Sequence, residues 1–531
     1  MSADYVSFWR VAIRWLTAIL LVMSIVYPLM AQEPSAQPIV LENADSLVGR
    51  STETEIIRDL IGNVVLRQGD AIVRCNKAIQ YISRNRATLI GKVIFTQGSV
   101  TIETPMAEYD GMSRTVSSVS GLILRDRDTE TRSQNGSYNT ETRVARFIQN
   151  VDVQNDSIRI TADTLEYRYA TQNSYATGNV FASGKQSRVY LLGDSLVHIK
   201  QTNYARVRGT DIGGVYRPPL LYQIDSTRST ASEDSLMQSA STARRMKYDT
   251  LALSGDVLES FRSDDRERSV ATGAVLLVRG SLSARGERGE YVRSRTNGQS
   301  PTALQPVLPP LQYLTMLGKE GAGSESAPLM WMDSTQLYGD SLLVRLQNNR
   351  PEEIRAEGKA FSLSQADTSN AERCNQLSAD RITVTIVRDT VRRIRGVGKA
   401  FSVYFQFEED SLKAKVPNGA TRVSADTIII RIDSGSVQDV VWLNIAEGEY
   451  IPEHIAEKKI NDDLRLKNFR RETNRPILPP LNARDRKRMM LPDPQANTII
   501  QPIRNKTPLP TKQDTTKQGT RKKGTIKNRV Q

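Results

Sequence analysis

Histidine is the side chain most suited to moving protons near neutral pH, and this chain of 531 residues has two, His198 and His454, in different regions. Neither belongs to an HExxH pair or to a Ser-His-Asp pattern, and His198 falls near a position that elsewhere holds a packed aromatic. There is no GxxxxGK[ST] loop and no glycine fingerprint following a strand. Asp264-Asp265 and Asp462-Asp463 lack the spacing of a calcium loop. The recurring Asp45, Asp163, Asp380 and Asp426 could be paired carboxylates for glycoside cleavage. Each follows an alanine at one point of a repeated phrase, which favours a turn residue over a catalytic acid. Two cysteines, Cys75 and Cys374, lie almost 300 residues apart, unlike a disulfide scaffold, and read as structural thiols. The expectation is a protein that is not an enzyme and uses no cofactor or metal.

The elements that carry these residues are strands. Ile158-Arg159-Ile160-Thr161-Ala162 alternates with a period of two, and a second run enters Gly178-Asn179-Val180. Between them stands Ala162-Asp163-x-Leu165-x-Tyr167. Small residues that look like strand openers fall at Gly62, Gly91, Gly121, Asn150, Gly178 and Gly209, at intervals of 29, 30, 29, 28 and 31 residues. A closing aromatic falls at Tyr81, Tyr109, Tyr138 and Tyr167, at intervals of 28, 29 and 29. Two markers that keep one period define an internal repeat, and units too small to bury a face alone must stack.

The rhythm divides the chain. Residues 32–214 form a first β-repeat lobe, and residues 215–328 read as an irregular insertion or linker with one weak copy at Tyr248–Leu251. Residues 329–451 form a second lobe, whose phrases run Ala379-Asp380 into Ile382, Val384 and Ile386, and Ala425-Asp426 into Ile428, Ile430 and Ile432. Residues 452–531 are a basic tail, expected to be largely disordered after a short helix beginning beside Pro452. The net charge of +13 is concentrated there: Glu453–Gln531 holds 20 Lys and Arg against 8 Asp and Glu. The charge therefore says little about a ligand of the body, and no nucleic-acid partner is expected.

At the other end, Arg10 and Arg14 precede an uncharged run from Trp15 to Met30, which closes on Ala31. This is the pattern of a signal peptide over residues 1–31, with an uncleaved anchor as the alternative. Either way the body is expected to be exported, or at most tethered at its start.

The phrase Ala-Asp-x-Leu-x-Tyr … Ala-Thr-Gly-Asn-Val at 162–180, repeated near 29 residues behind a signal sequence, resembles the OstA-like family of lipopolysaccharide-export proteins. The resemblance implies an all-β fold, a stacked antiparallel β-jellyroll shaped as a trough, here in two lobes. It implies a carrier in the periplasm that bridges inner and outer membranes and shields lipid A acyl chains of lipopolysaccharide. The expected partners are other Lpt-type β-jellyroll proteins joined by edge-to-edge strand pairing, or a second copy of the chain. The residues expected to face the trough are Ile158, Ile160, Ile382, Val384, Ile386, Ile428, Ile430 and Ile432. The alternative is a β-repeat scaffold or adhesin of the envelope that carries no lipid.

Overall fold

Period-two alternation sets each strand. In Ile56–Gln68 the side chains of Leu60, Val64 and Leu66 are buried while their neighbours are open, and Ala71–Tyr81 repeats the pattern. The computed structural model describes residues 37–489 except 186–187, 213–214, 228–246, 264–265, 295–311, 320–325, 333, 348–349, 368, 410–414, 434–435, 445–446, 478 and 480. The signal sequence expected at residues 1–31 and the tail from residue 490 lie outside the described residues.

The described strands form one antiparallel sheet of 30, apart from the small ribbon Thr210–Ile212 with Val215–Arg217. The long strands each serve two walls. Val100–Asp110 pairs through Glu108–Asp110 with Thr115–Ser118, and through Val100–Glu103 with Leu122–Asp126. Val144–Gln154 likewise meets Asn135–Asn139 at one end and Thr129–Ser133 at the other. We call the wall that holds Leu60, Ala78 and Leu89 the first, and the wall that holds Leu66, Val73 and Phe95 the second. All six are buried in one cluster, so the inner faces of the two walls meet.

The bend between the walls is a bulge inside alternate long strands. Register shifts between Ile61 and Val64, between Thr177 and Val180, and between Glu357 and Ala360. At these points two successive residues take positive φ, as in Gly62 (76°) with Asn63 (45°) and Gly178 (75°) with Asn179 (49°). A bulge adds a residue to one strand and kinks it, and glycine adopts this conformation without steric cost. Gly62, Gly91 and Gly178, which the sequence suggests as strand openers, are therefore corners within strands, whereas Gly121 and Gly209 stand between strands, each directly before one.

The interval 215–328 is not an insertion between lobes. Leu220–Thr227, Lys247–Ser254, Val257–Arg262, Arg266–Arg279, Leu282–Ser294 and Gln312–Leu317 pair in unbroken succession with their neighbours. Long connections at 228–246 and 295–311 disturb the spacing in the sequence while strand pairing continues across them. What remains of two lobes is two buried clusters, one from Ile39 to Val207 and one from Leu253 to Ile430, with Leu191 packed against both.

The segment after Pro452 begins as a strap. The helix Glu453–Lys459 buries Ala456, and Ile460, Leu464 and Leu466 continue onto the outer face of the second wall against Trp331, Phe361 and Phe405. Side chains grip its backbone in place of a strand. Gln376 donates from Nε2 to Leu464 O (2.8 Å) and accepts from Leu466 N–H (2.9 Å). The Tyr338 hydroxyl donates to Asn468 O (2.8 Å) and accepts from Arg470 N–H (3.0 Å). Gln336 donates to Arg470 O (2.7 Å) and accepts from Glu472 N–H (3.1 Å). Buried backbone groups need such partners, and a polar segment that receives them folds despite its composition.

Residues 480–531 form a separate unit. Its described part holds the helix Ala483–Arg488, capped by Asn482, whose side chain accepts from Asp485 N–H at 2.8 Å.

Candidate functional site

The candidate site is the space enclosed by the two walls. The structure brings six of the eight expected wall residues together. Ile382 pairs through Gly396 with Ile428, and Val384 pairs through Ile394 with Ile430. These four and Ile386 are buried in one cluster, against which Ile432 packs. They line the first wall, and Ile382 and Val384 are no more than 1% exposed. The other two stand apart on the second wall. Ile160 pairs with Ala182 and is half-buried, whereas Ile158 pairs with Gly184 at the free end of the wall and is 43% exposed.

Opposite the corners, the free ends of the walls are joined by clamps that the sequence analysis missed. The Tyr109 hydroxyl donates to Gln68 Oε1 (2.5 Å), and Gln68 Nε2 donates to Gly111 O (2.9 Å). One repeat on, the Tyr138 hydroxyl donates to Gln97 Oε1 (2.8 Å), and Gln97 Nε2 donates to Thr140 O (3.0 Å) and Asp70 Oδ1 (2.9 Å). Each clamp links the second wall, which supplies the glutamine, to the first, which supplies the tyrosine. Phe95 packs within 6.1 Å of Tyr109 and 6.0 Å of Tyr138, ring centre to ring centre. Burial pushes the Tyr138 hydroxyl up to about 12 and raises Tyr109 as well. A signal for the clamps is present in the sequence: Gln68 and Gln97 keep the repeat period, each 41 residues before its tyrosine.

The recurring acids sit at the corners. Asp45 accepts from Asn63 Nδ2 (2.9 Å) and Asp163 accepts from Asn179 Nδ2 (2.6 Å), while Asp380 lies against Gly398. Asp426 accepts from the hydroxyl of its neighbour Thr427 (3.2 Å). Cys75 and Cys374 are both free and buried, in different clusters, and burial raises both thiols. His198 has its pKa lowered by burial and then by Lys200 and Arg262. Among the described residues no group of His, Cys, Asp and Glu could hold a metal ion. What the enclosed space does chemically is remove apolar surface from water along the whole series of strands.

No curated protein matches the chain. The family model described as OstA-like protein matches it twice, over residues 36–129 and 99–163. The two matches overlap, as a stacked repeat allows. They run from residue 36, ahead of the strand Val40–Asn43, to Asp163, where the phrase at 162–180 begins. Over residues 36–163 the chain is similar to the OstA-like family.

Proposed function

We propose that this protein carries lipopolysaccharide across the periplasm, bridging inner and outer membranes, with acyl chains shielded between its two walls. The observation that carries the proposal is a continuous apolar interior, passed from the first cluster to the second through Leu191. Each buried CH₂ contributes about 0.8 kcal/mol, so a lipid with several chains does not cross water unshielded. A stack of strands about 4.8 Å apart extends such a shield over tens of Å. At its ends Ser46–Ser51 is exposed throughout and Glu447–Pro452 nearly so, each paired along one side only. Open edges accept further strands, so the partners would be Lpt-type β-jellyroll proteins or a second copy, joined edge to edge. In this reading the chain catalyses nothing and uses no cofactor.

The experiment is photocrosslinking in cells with a photoreactive residue at Ile160 or Val384. Lipopolysaccharide adducts are expected, and their consistent absence would overturn the proposal. Depletion of the protein should also mislocalise lipopolysaccharide.

One observation favours the second reading, a non-transport envelope scaffold or adhesin. Ile382, Val384 and Ile428 are closed against one another by their own packing. A scaffold would leave lipopolysaccharide in place after depletion and give no adducts at either position.

A further inference from the structure

The interior is not covered equally along its length. On the second wall the inward residues Leu66, Phe95 and Leu124 are buried, and so are Leu277 and Leu282 further along the chain. Between them, six inward residues on successive strands are only half-buried: Val153, Ile160, Ala182, Leu191, Leu221 and Leu251. Register places the first five on one face, since Val153 faces Ile160, Ile160 faces Ala182, Ala182 faces Leu191 and Leu191 faces Leu221. Leu221 in turn faces the buried Leu253, two residues from Leu251 on the same strand.

The less covered stretch begins where the clamps stop. The third clamp position, 29 residues after Gln97, is Asp126, and its tyrosine would be Tyr167, 41 residues on. Aspartate is one methylene shorter than glutamine and cannot offer an amide N–H to the other wall. Its Oδ1 is buried without a hydrogen-bond partner. Tyr169 fills the space instead, edge-on to both Tyr138 and Tyr167.

We propose that the seam between the walls opens here as a lateral port for the acyl chains of an amphiphile, with the Gln97–Tyr138 clamp as its N-terminal post. The inference rests on the lipid-carrying function. The occupant follows from the lining. All six residues are aliphatic, so they take a hydrocarbon chain and offer nothing to a polar group. Ile158 at the free end of the wall meets water, where a headgroup would remain. Leu191 connects the port to both buried clusters.

The test uses the purified full chain, radiolabelled lipid A in micelles, and a photoreactive residue placed singly at Leu191, Ile160, Val73 or Val384. Adducts at Leu191 and Ile160 should exceed those at Val73 at least several-fold. Asp126→Gln should restore the third clamp and lower the Ile160 adduct several-fold. Tyr138→Phe should remove the second clamp and spread adducts to a photoreactive residue at Leu124, which keeps the test decisive if Asp126→Gln does not fold. Equal labelling at Val73 and Leu191 would overturn the port. Adducts at Val384 without any at Leu191 or Ile160 would overturn the port and leave lipid carriage standing. No adduct at any position would overturn both.

Discussion

The carboxylate of Asp163 lies over Gly178 on the neighbouring strand, with its Cβ 2.8 Å from where a Cβ on that glycine would stand. It then accepts from Asn179 Nδ2 at 2.6 Å. Asp45 lies over Gly62, Asn76 over Gly91, Asp256 over Gly273, Asp340 over Gly358 and Asp380 over Gly398 in the same way. One strand supplies a short polar side chain, and the next supplies the glycine that makes room for it while bending. This pairing, repeated from strand to strand, holds the angle between the walls.

Gly178→Ala should therefore destabilise the protein twice over. The left-handed conformation at φ 75° costs a residue with a Cβ about 1–2 kcal/mol, and the new methyl meets Asp163. The double variant with Asp163→Ala relieves the contact and keeps the backbone cost, so it should recover part of the loss. Urea unfolding of the three variants measures this, and a single variant as stable as the parent would contradict the corner's role.

The clamps predict an alkaline limb. Burial raises Tyr138 to about 12, against about 10 for a free tyrosine. A raised folded pKa means that the folded state keeps its proton where the unfolded chain gives it up. The stabilisation is full below pH 10 and is lost as pH rises toward 12. Tyr138→Phe should flatten the fall in stability over that window, read from urea midpoints at pH 8, 10 and 11. It also leaves Gln97 Oε1 without its hydroxyl, which costs about 1–3 kcal/mol if the group stays buried.

The period of the fold was legible because Gly62, Gly91 and Gly178 occupy a conformation that excludes most other residues. Whether such a glycine starts a strand or bends one was not legible, since both need positive φ. The clamps were overlooked because Gln68 and Gln97 look like polar loop residues until Tyr109 and Tyr138 reach them across the interior. The strap was not legible either: its helix stops at Lys459, and three side chains, Gln376, Tyr338 and Gln336, supply the backbone partners that the segment's own sequence does not announce. Of the wall residues, alternation correctly identified the buried face at Ile382 and Val384. It could not tell that Ile158 stands at an open seam, because exposure there depends on a clamp missing on another strand.

The strap predicts a separable loss. Gln376→Leu removes both partners of the strap at that point and leaves Leu464 O and Leu466 N–H in a buried setting, at a cost of about 1–3 kcal/mol. Trp331, Phe361 and Phe405 would then be uncovered more often, since Ile460, Leu464 and Leu466 pack beside them. Limited proteolysis should cut between Ile460 and Arg475 faster in the variant, and binding of a dye that reports exposed apolar surface should rise. Unchanged cleavage would mean that packing alone fastens the strap.

An acid limb follows from the outer face of the first wall. Glu166 accepts from Arg168 Nε (2.7 Å) and from Arg146 Nε (2.9 Å), and these bonds, Arg168 first, hold its carboxyl below the usual range. A depressed folded pKa contributes stability above the unfolded value, near 4.3 for glutamate, which is lost as pH falls through the folded value. The arginine side chains are well exposed, so solvent and salt screen the effect and it stays small. Glu166→Gln should narrow the difference in urea midpoint between pH 7 and pH 3. One molar salt should shrink the gap between parent and variant at pH 7. A gap that survives salt would place its origin in packing rather than charge.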